Sequence, residues 1–427
     1  LSYQSPIAPG RSFYESRLGE RPLYPQLDGS LTTDVVIIGG GFTGLQAAFN
    51  LARAGVGVVL IEQARFGDGA SGRNGGQMGT GQRAWAEDLE TQFGFETSRD
   101  LFRLAERAKT YLHDFVRDHA IDVDFQPGQM SLVHKPAYVE AYRRHPEIMA
   151  QRYGYRHISF MGREETAWRV GSSRYLAGIR DTGTGHINPL KLVVGLARQA
   201  SLQGAQLYEN TPALSVRSDS GRVRVATGSG TITADHGLIA CNGYIGTLER
   251  MTAAHVMPIR SFIGATEPLS DKTVIPRGEA IDDSRFVVRY FRKSIDGCLL
   301  FGGREAYTAD NPRDMSAHIR RQISEIYPAL ATVRITHAWG GNVAITRPRQ
   351  PFVREVMPGV ISIGGFSGHG VMLSNYCGKL FADMIAGSGD ELRLLEAMAP
   401  PAFPGGARFR KPLLLLALTW YALLDRL

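Results

Sequence analysis

The sequence predicts a mixed α/β fold, in which a parallel sheet wound with helices is interleaved along the chain with a second unit built on an antiparallel sheet. Three observations predict it. Strand, glycine turn, helix and strand follow one another between residues 34 and 62; a further strand, glycine turn and helix stand at 360 to 387; and several segments between them alternate or run apolar as sheet strands do. With 427 residues, 43% of them hydrophobic, the chain can bury a large core and form two domains.

Asp34 to Ile38 is short, apolar and largely β-branched, the pattern of a strand buried on both faces. The next residues, Gly39-Gly40-Gly41-Phe42-Thr43-Gly44, form a GxGxxG turn. Gly39 permits the bend, Gly41 lets a pyrophosphate approach the backbone, and Gly44 lets the following helix lie close to the strand. That helix, with Leu45, Ala48, Leu51 and Ala52 on one face, starts at the turn and directs its free N–H groups and positive end at the phosphates; Gly55 stops it. The strand Val56 to Ile61 ends at Glu62, placed to accept both hydroxyls of an adenosine ribose, with Gln63 beside it. This is a Rossmann-like dinucleotide unit, and it does not by itself separate FAD from NAD.

Two further segments separate them. "QARFGDGASGRNGGQMG" (63 to 79) is too glycine-rich for a helix or strand and carries Ala70, Ser71, Arg73, Asn74, Gly75, Gly76, Gln77 and Met78 as further cofactor contacts. "VISIGGFSGHGVMLSNYCGKLFADMIAG" (360 to 387) presents Gly365, Ser367, Gly368, His369, Gly370, Val371 and Met372 at a second helix N-terminus starting around Gly368. The positive end of that helix suits a reduced flavin, which is anionic, better than an oxidised nicotinamide, which is cationic.

On these residues the chain resembles the D-amino-acid-oxidase superfamily of FAD enzymes from about residue 30 to 395, and "GASGRNGGQ" with "GGFSGHGV" is similar to its branch containing γ-glutamylputrescine oxidases. "HINPLKLVVGLARQA" (186 to 200) resembles the family's Pro-Leu-led helix, "HGLIACNGYIG" (236 to 246) its strand and turn past the adenine, and "AWGGNVAITRP" (338 to 348) its strand entering the flavin site. The tail "KPLLLLALTWYALLDRL" is similar to the putrescine-linked branch. The resemblance implies a glutathione-reductase-type fold, with Ala213, Asn242 and Gly243 added to the cofactor contacts. Residues 30–85, 155–250 and 338–395 are expected to form the FAD-binding domain, including hairpin strands at 213 to 240. Residues 86–154 and 251–337 are expected to form the substrate domain, with a helix around 99 to 119 and strands near 129–134, 257–267, 286–292 and 298–303. Residues 1–29 are an N-terminal extension and 396–427 a C-terminal apolar helical tail.

Composition narrows the alternatives. Cys241, Cys298 and Cys377 are far apart and form no CxxC pair, so neither a disulfide framework nor a metal site is expected. No basic segment followed by an apolar run opens the chain, and a reducing, cytoplasmic location is expected. The net charge of +7 comes from scattered residues with small clusters at Arg143-Arg144, Arg320-Arg321 and Arg408 to Lys411, none interleaved with aromatics, so no nucleic-acid partner is expected. The apolar run at 412 to 424 is too short to span a bilayer; it is read as packing on its own protein, with membrane-surface association as the alternative.

The resemblance implies transfer of hydride from the carbon beside an amine to flavin N5, the protein supplying orientation, charge and dryness. His369 is then expected beside the flavin, held neutral by the helix N-terminus and so shaping the flavin's environment in preference to transferring a proton, with capping or filling of the glycine turn as the structural alternative. Trp339, Asn342, Arg289 and Tyr290 are the substrate-side candidates; Trp339 is open between pocket wall and core, Arg289 between pocket and solvent face. Amino-acid-oxidising relatives often carry Arg, paired with the substrate carboxylate, where this chain has Val343, and the lysine that helps oxygen react in sarcosine-oxidase-like relatives is missing from 297 to 305. The loop at 343 to 350 lacks the linking cysteine of some relatives, so FAD is expected to bind non-covalently. The expected function is FAD-dependent oxidation of a primary or secondary amine to an imine that hydrolyses, with γ-glutamylputrescine as leading substrate and O2 or another electron acceptor as partner. The alternatives are a glycine-, sarcosine- or D-amino-acid-type oxidase, and a non-catalytic flavoprotein that binds RNA or a partner.

Overall fold

The computed structural model describes residues 3–306 and 314–406. The run at 412 to 424 lies outside them. Two eight-stranded sheets organise the chain.

The first sheet is built around the strand Leu31–Ile38, which pairs in parallel with Val58–Ile61 on one side and with Thr231–Ile239 on the other. Gln206–Tyr208 and Val360–Gly364 extend it in parallel, whereas Phe352–Met357 and the hairpin Ser215–Asp219/Arg222–Ala226 join antiparallel. Alternation sorts the central strands between two cores. Val35 and Ile37 meet the helices Phe42–Arg53, Phe95–Asp118, Pro189–Leu202 and Gly370–Ile385, while Val36 and Ile38 meet the hairpin's Val216, Val223 and Val225.

The glycine turn is set by close backbone approach. Gly39 has φ +116°, and a Cβ there would lie 2.7 Å from the Ala240 carbonyl oxygen. A Cβ on Gly44 would lie 2.0 Å from the Gly39 oxygen, so only glycine lets the helix Phe42–Arg53 leave the turn at this angle.

The second sheet runs, in spatial order, Ile335–Ile345, Met257–Pro268, Cys298–Ala306, Tyr290–Lys293, Ala280–Asp283, Gln126–Val133, Ala177–His186 and Ile158–Met161. It is antiparallel except where Ala280–Asp283 pairs in parallel with Gln126–Val133. The helix Met315–Ile326 covers its back, packing Ile319, Ile323 and Ile326 on Met130, Leu132, Phe291 and Phe301.

Two expectations change. Ile335–Ile345 pairs with Met257–Pro268, and Ile158–Met161 and Ala177–His186 close the far edge, so strands from the stretches 338–395 and 155–250 belong to the second sheet. The extended run near 286–292 is a strand only over Tyr290–Lys293; residues 284–289 instead wrap Asp283, whose Oδ1 accepts the Arg289 N–H. Among the described residues no helix is long and apolar enough to cross a membrane.

Gly44→Ala is expected to destabilise the protein by about 1–3 kcal/mol or more through overpacking. Gly228→Ala, where a Cβ meets nothing within 4 Å, should leave stability nearly unchanged. Denaturant unfolding of both variants checks this, and equal midpoints would contradict the close-approach account.

Candidate functional site

The elements converge on two cavities. The larger, of about 1260 Å³, opens between the sheets; the smaller, of about 260 Å³, lies over the ends of the first sheet's strands. Gly41, Ala70, Ser71, Ala240 and Asn242 border both, so the glycine turn is the waist of one connected site.

The smaller cavity is bordered by Gly39, Glu62, Gln63 and Ala213. The Glu62 carboxylate accepts the Gly40 N–H at 2.8 Å and the Ala64 N–H at 3.0 Å. Burial pushes its carboxyl up to about 6, against the pull of these N–H groups.

The glycine-rich loop floors the larger cavity and is tied down from below. The Arg73 Nε donates to the Gly340 carbonyl at 2.9 Å, and its Nη2 to the Pro9 and Gly10 carbonyls, each at 2.7 Å. The Trp339 Nε1 donates to the Arg73 carbonyl at 2.9 Å, and the Tyr14 hydroxyl to that of Asn74 at 2.8 Å. Trp339 is wholly buried against Tyr14 beneath the loop and also borders the larger cavity, so it is core and cavity wall at once. Arg73 likewise borders the cavity, but these donors face backbone carbonyls. A Cβ on Gly76 would lie 2.0 Å from the Ile187 oxygen.

Phe42, Thr43, Asn74, Gly75, Gly76 and Gln77 border the larger cavity, as do Ser367, Gly368, His369, Gly370 and Val371 at the N-terminus of the last long helix. The remaining glycines shape it from behind: Gly243 lies against Asn342, and the Gly365 N–H donates to the Asn242 Oδ1 at 2.9 Å. The side chains of Met78 and Met372, expected beside the cofactor, are buried in the helical core of the first sheet and border neither cavity.

On the substrate side Tyr290 lies in the cavity wall, its hydroxyl 3.2 Å from the Ser261 hydroxyl and its ring over Gly302, where a Cβ would come within 2.2 Å. Arg289, expected on the substrate side, does not border the cavity; its guanidinium pairs with Glu325 of the helix behind the sheet. Asn342 and Val343 both border the cavity, and the Asn342 N–H donates to the Tyr244 hydroxyl at 3.0 Å. The His369 ring packs over Gly79, its Nε2 lies 3.0 Å from the Gly81 carbonyl, and burial, reinforced by Arg83, lowers its pKa to about 4. It is therefore neutral at pH 7 and directs an N–H to that carbonyl.

The family of FAD dependent oxidoreductases (DAO) matches residues 34–384. The chain belongs to this family. It is 65% identical over 427 residues to the probable oxidoreductase OrdL of Rhizobium meliloti (strain 1021), covering 100% of both chains. It is 30% identical over 420 residues to the gamma-glutamylputrescine oxidoreductase of Escherichia coli (strain K12), covering 97% of this chain and 98% of that one. Among solved structures, glycine oxidase from Geobacillus kaustophilus shares the fold with a TM-score of 0.70 at 22% identity, over 83% of this chain and 95% of that one. L-proline dehydrogenase from P.horikoshii does so with a TM-score of 0.70 at 22% identity, over 84% and 94%.

This FAD-dependent oxidoreductase has a site that fits its cofactor. A long ligand can pass the waist only where Gly41 lacks a side chain, since a Cβ there already meets the Ser71 Oγ at 2.7 Å. Glu62 and Gln63 would hold the adenosine end, the N-terminus of Phe42–Arg53 with Ser71 the pyrophosphate, and the loop 70–77 with 367–371 the flavin end. FAD supplies the two-electron acceptor. None of the three cysteines borders the larger cavity: Cys241 borders the smaller one, and Cys298 and Cys377 lie in cores.

The structure also brings in residues absent from the motifs. Arg83, Trp85, Tyr142 and Asp282 border the larger cavity, and the Lys109 Nζ, buried on the helix Phe95–Asp118, bonds Thr80 Oγ1 and the Tyr155 hydroxyl, each at 3.1 Å. A lysine inside the apolar stripe of Leu101, Leu104, Ala108 and Leu112 was the available signal for Lys109.

Glu62→Ala is expected to weaken FAD binding to apoprotein by about 1–3 kcal/mol, the worth of a hydrogen bond to a charged group. Because the free carboxyl titrates near 6 and the ribose hydroxyls favour its ionised form, wild-type affinity should fall as pH drops from 7.5 to 5. Fluorescence titration of apoprotein with FAD checks both. An affinity independent of pH, unchanged by Glu62→Ala, would contradict the assignment.

Proposed function

We propose that this flavoprotein oxidises an extended primary or secondary amine, of the γ-glutamylputrescine type, at the carbon beside its amine nitrogen. The carrying observation is the uncharged stretch Asn342 to Thr346 on the cavity wall, with Val343 at the position where, by the resemblance, amino-acid-oxidising relatives often hold a carboxylate-pairing Arg. A carboxylate buried there would lose its hydration uncompensated, at a cost of several kcal/mol, whereas a neutral amine on an alkyl chain loses little. An acid at the far end of an extended substrate escapes that cost. The E. coli relative, 30% identical over nearly the whole of both chains, supports the same substrate class.

Oxidation of CH–NH2 to C=NH removes a hydride from carbon and a proton from nitrogen; water then converts the imine to an aldehyde and releases ammonia. The chain's task is to accept the neutral amine, orient its carbon and keep water away. Val343 and Tyr290 supply the dry wall, and neutral His369 adds no positive charge to oppose loss of hydride. FAD is held without a covalent bond, and the enzyme works in the cytoplasm with O2 or another carrier as final acceptor.

γ-Glutamylputrescine is expected to reduce the enzyme's flavin at least about tenfold faster than glycine, sarcosine or D-alanine at equal concentration, the margin set by uncompensated carboxylate burial. Val343→Arg should shift preference towards the small amino acids. Anaerobic stopped-flow reduction measures this, and faster reduction of wild type by glycine or D-alanine would favour the amino-acid-oxidase reading. Acid-precipitated protein should leave its FAD in the supernatant; colour kept in the pellet would contradict non-covalent binding.

His369→Asn is expected to slow flavin reduction without removing an ionisation near pH 7, since the wild-type ring titrates near 4. The pH profile of the reduction rate tests this; loss of a pH 6–7 limb in the variant would show that the imidazole exchanges a proton in turnover.

A further inference from the structure

Five arginines border the larger cavity: Arg73, Arg83, Arg285, Arg347 and Arg349. Four are engaged. Arg73 donates to the carbonyls already described, Arg285 pairs with Asp283, Arg347 reaches the Ala402 carbonyl at 3.3 Å, and the Arg349 guanidinium lies 4.7 Å over the Phe286 ring. Arg83 is half-buried, yet among the described residues it makes no hydrogen bond and no ion pair. A guanidinium has five N–H donors in a planar fork, and withdrawing it partly from water without an acceptor is costly.

Its surroundings suit a ligand. Arg83 acts electrostatically on Asp282, Tyr142 and His369, all on the same cavity; burial raises the Asp282 carboxyl above its usual range, and the hydrogen bonds it accepts and the Arg83 charge oppose that rise. Asp282 projects from the strand Ala280–Asp283, its Oδ2 accepting the Gln129 Nε2 at 2.6 Å. Trp85, two residues beyond Arg83, meets the Tyr142 ring edge-on at 4.9 Å and stacks on His145 at 4.3 Å; His145 is held by Glu87 at 2.7 Å. An aromatic wall thus lines the same cavity as a cation with no hydrogen bond or ion pair among the described residues and a carboxyl group.

We infer that Arg83 is the specificity-determining anchor for a carboxylate at the end of the amine substrate remote from its oxidised carbon, with Asp282 beside it for an ammonium on the same head group. The inference rests on the proposed amine oxidation and deepens it: the substrate class becomes an amine acylated by an α-amino diacid. Arg pairs bidentately with carboxylate, and partial burial strengthens the pair. A zwitterionic head group offers a carboxylate to Arg83 and an ammonium to the acidic Asp282 on the same cavity, so each charge brought in has a complement there. Trp85 and Tyr142 would flank the chain joining head group to amine.

The test compares γ-glutamylputrescine with γ-aminobutyrylputrescine, the same molecule without the carboxylate, on wild-type, Arg83→Gln and Arg83→Lys holoenzymes of equal FAD content and unfolding midpoint. In anaerobic stopped-flow, Arg83→Gln should raise the apparent Kd for γ-glutamylputrescine by about 10- to 100-fold with the limiting reduction rate little changed, while the decarboxylated amine shifts less than about threefold. Arg83→Lys, which keeps the charge and loses the fork, should fall between. Equal shifts for both amines, or none for either, would overturn the inference. L-Glutamate titrated calorimetrically into oxidised holoenzyme gives a readout independent of turnover, with heat expected from wild type and lost in Arg83→Gln. If neither amine reduces the wild type but L-glutamate binding requires Arg83, amine oxidation fails and the carboxylate anchor stands. L-Glutamate that binds both proteins equally, or does not bind wild type, contradicts the anchor.

Discussion

The buried guanidinium of Arg73 holds three separate stretches of chain together, and the cavity floor depends on it. Its Nε and Nη2 reach the carbonyls of Gly340, Pro9 and Gly10, so the glycine-rich loop, the N-terminal segment and the edge strand Ile335–Ile345 share one tie. A loop so rich in glycine loses much conformational entropy on ordering and offers few side chains to pack. Its backbone groups therefore need external partners, and they find them in Trp339, Tyr14 and Arg292, whose Nη2 also holds the Ile187 carbonyl at 2.9 Å. The N-terminal segment is thus part of the site's foundation; a Cβ on Gly10 would lie 2.1 Å from the Ala338 oxygen.

From that floor the division of labour follows. The first sheet presents helix N-termini and glycine backbones, which suit phosphate and an anionic ring; the second presents side chains, which suit a substrate. Where the two meet, the wall from Asn342 to Thr346 carries no charge, and the cation that lacks a hydrogen bond or ion pair among the described residues, Arg83, lies elsewhere on the cavity. The electrostatics of the site are therefore asymmetric, dry and neutral at Val343 and His369, with a cation at Arg83 and an acidic side chain at Asp282. An amine with a remote acid fits that asymmetry better than an amino acid whose charges flank the carbon to be oxidised.

The nucleotide half of this arrangement was legible in the sequence, because its glycines answer to local geometry: Gly39, Gly41 and Gly44 are fixed by atoms that a Cβ would strike. Strand and helix periodicity also located the helix Phe95–Asp118 and four of the eight strands of the second sheet, but not Ala280–Asp283, Ala177–His186 or Ile158–Met161. What periodicity cannot supply is partnership across the chain. Ile335–Ile345 reads as a strand wherever it lies, and only its pairing with Met257–Pro268 assigns it to the second sheet. Arg289 and Tyr290 are adjacent, and alternation sends one to Glu325 and the other to the cavity without saying which. Met78 and Met372 sit within cofactor motifs, yet their apolar side chains turn into the core. Arg83 carried no local signal, since its distinction is the lack of an acceptor among described residues brought together from three parts of the chain.

The central claim is that the carbon beside the terminal amine is oxidised while the acidic end stays away from the flavin. Anaerobic reduction with γ-glutamylputrescine deuterated at one position at a time tests it directly. Deuterium on the putrescine carbon bearing the terminal amine should slow flavin reduction with a primary isotope effect, and deuterium on the α-carbon of the glutamyl group should leave the rate unchanged. A primary isotope effect at the glutamyl α-carbon would contradict the account, because it would place the amino-acid end against the acceptor.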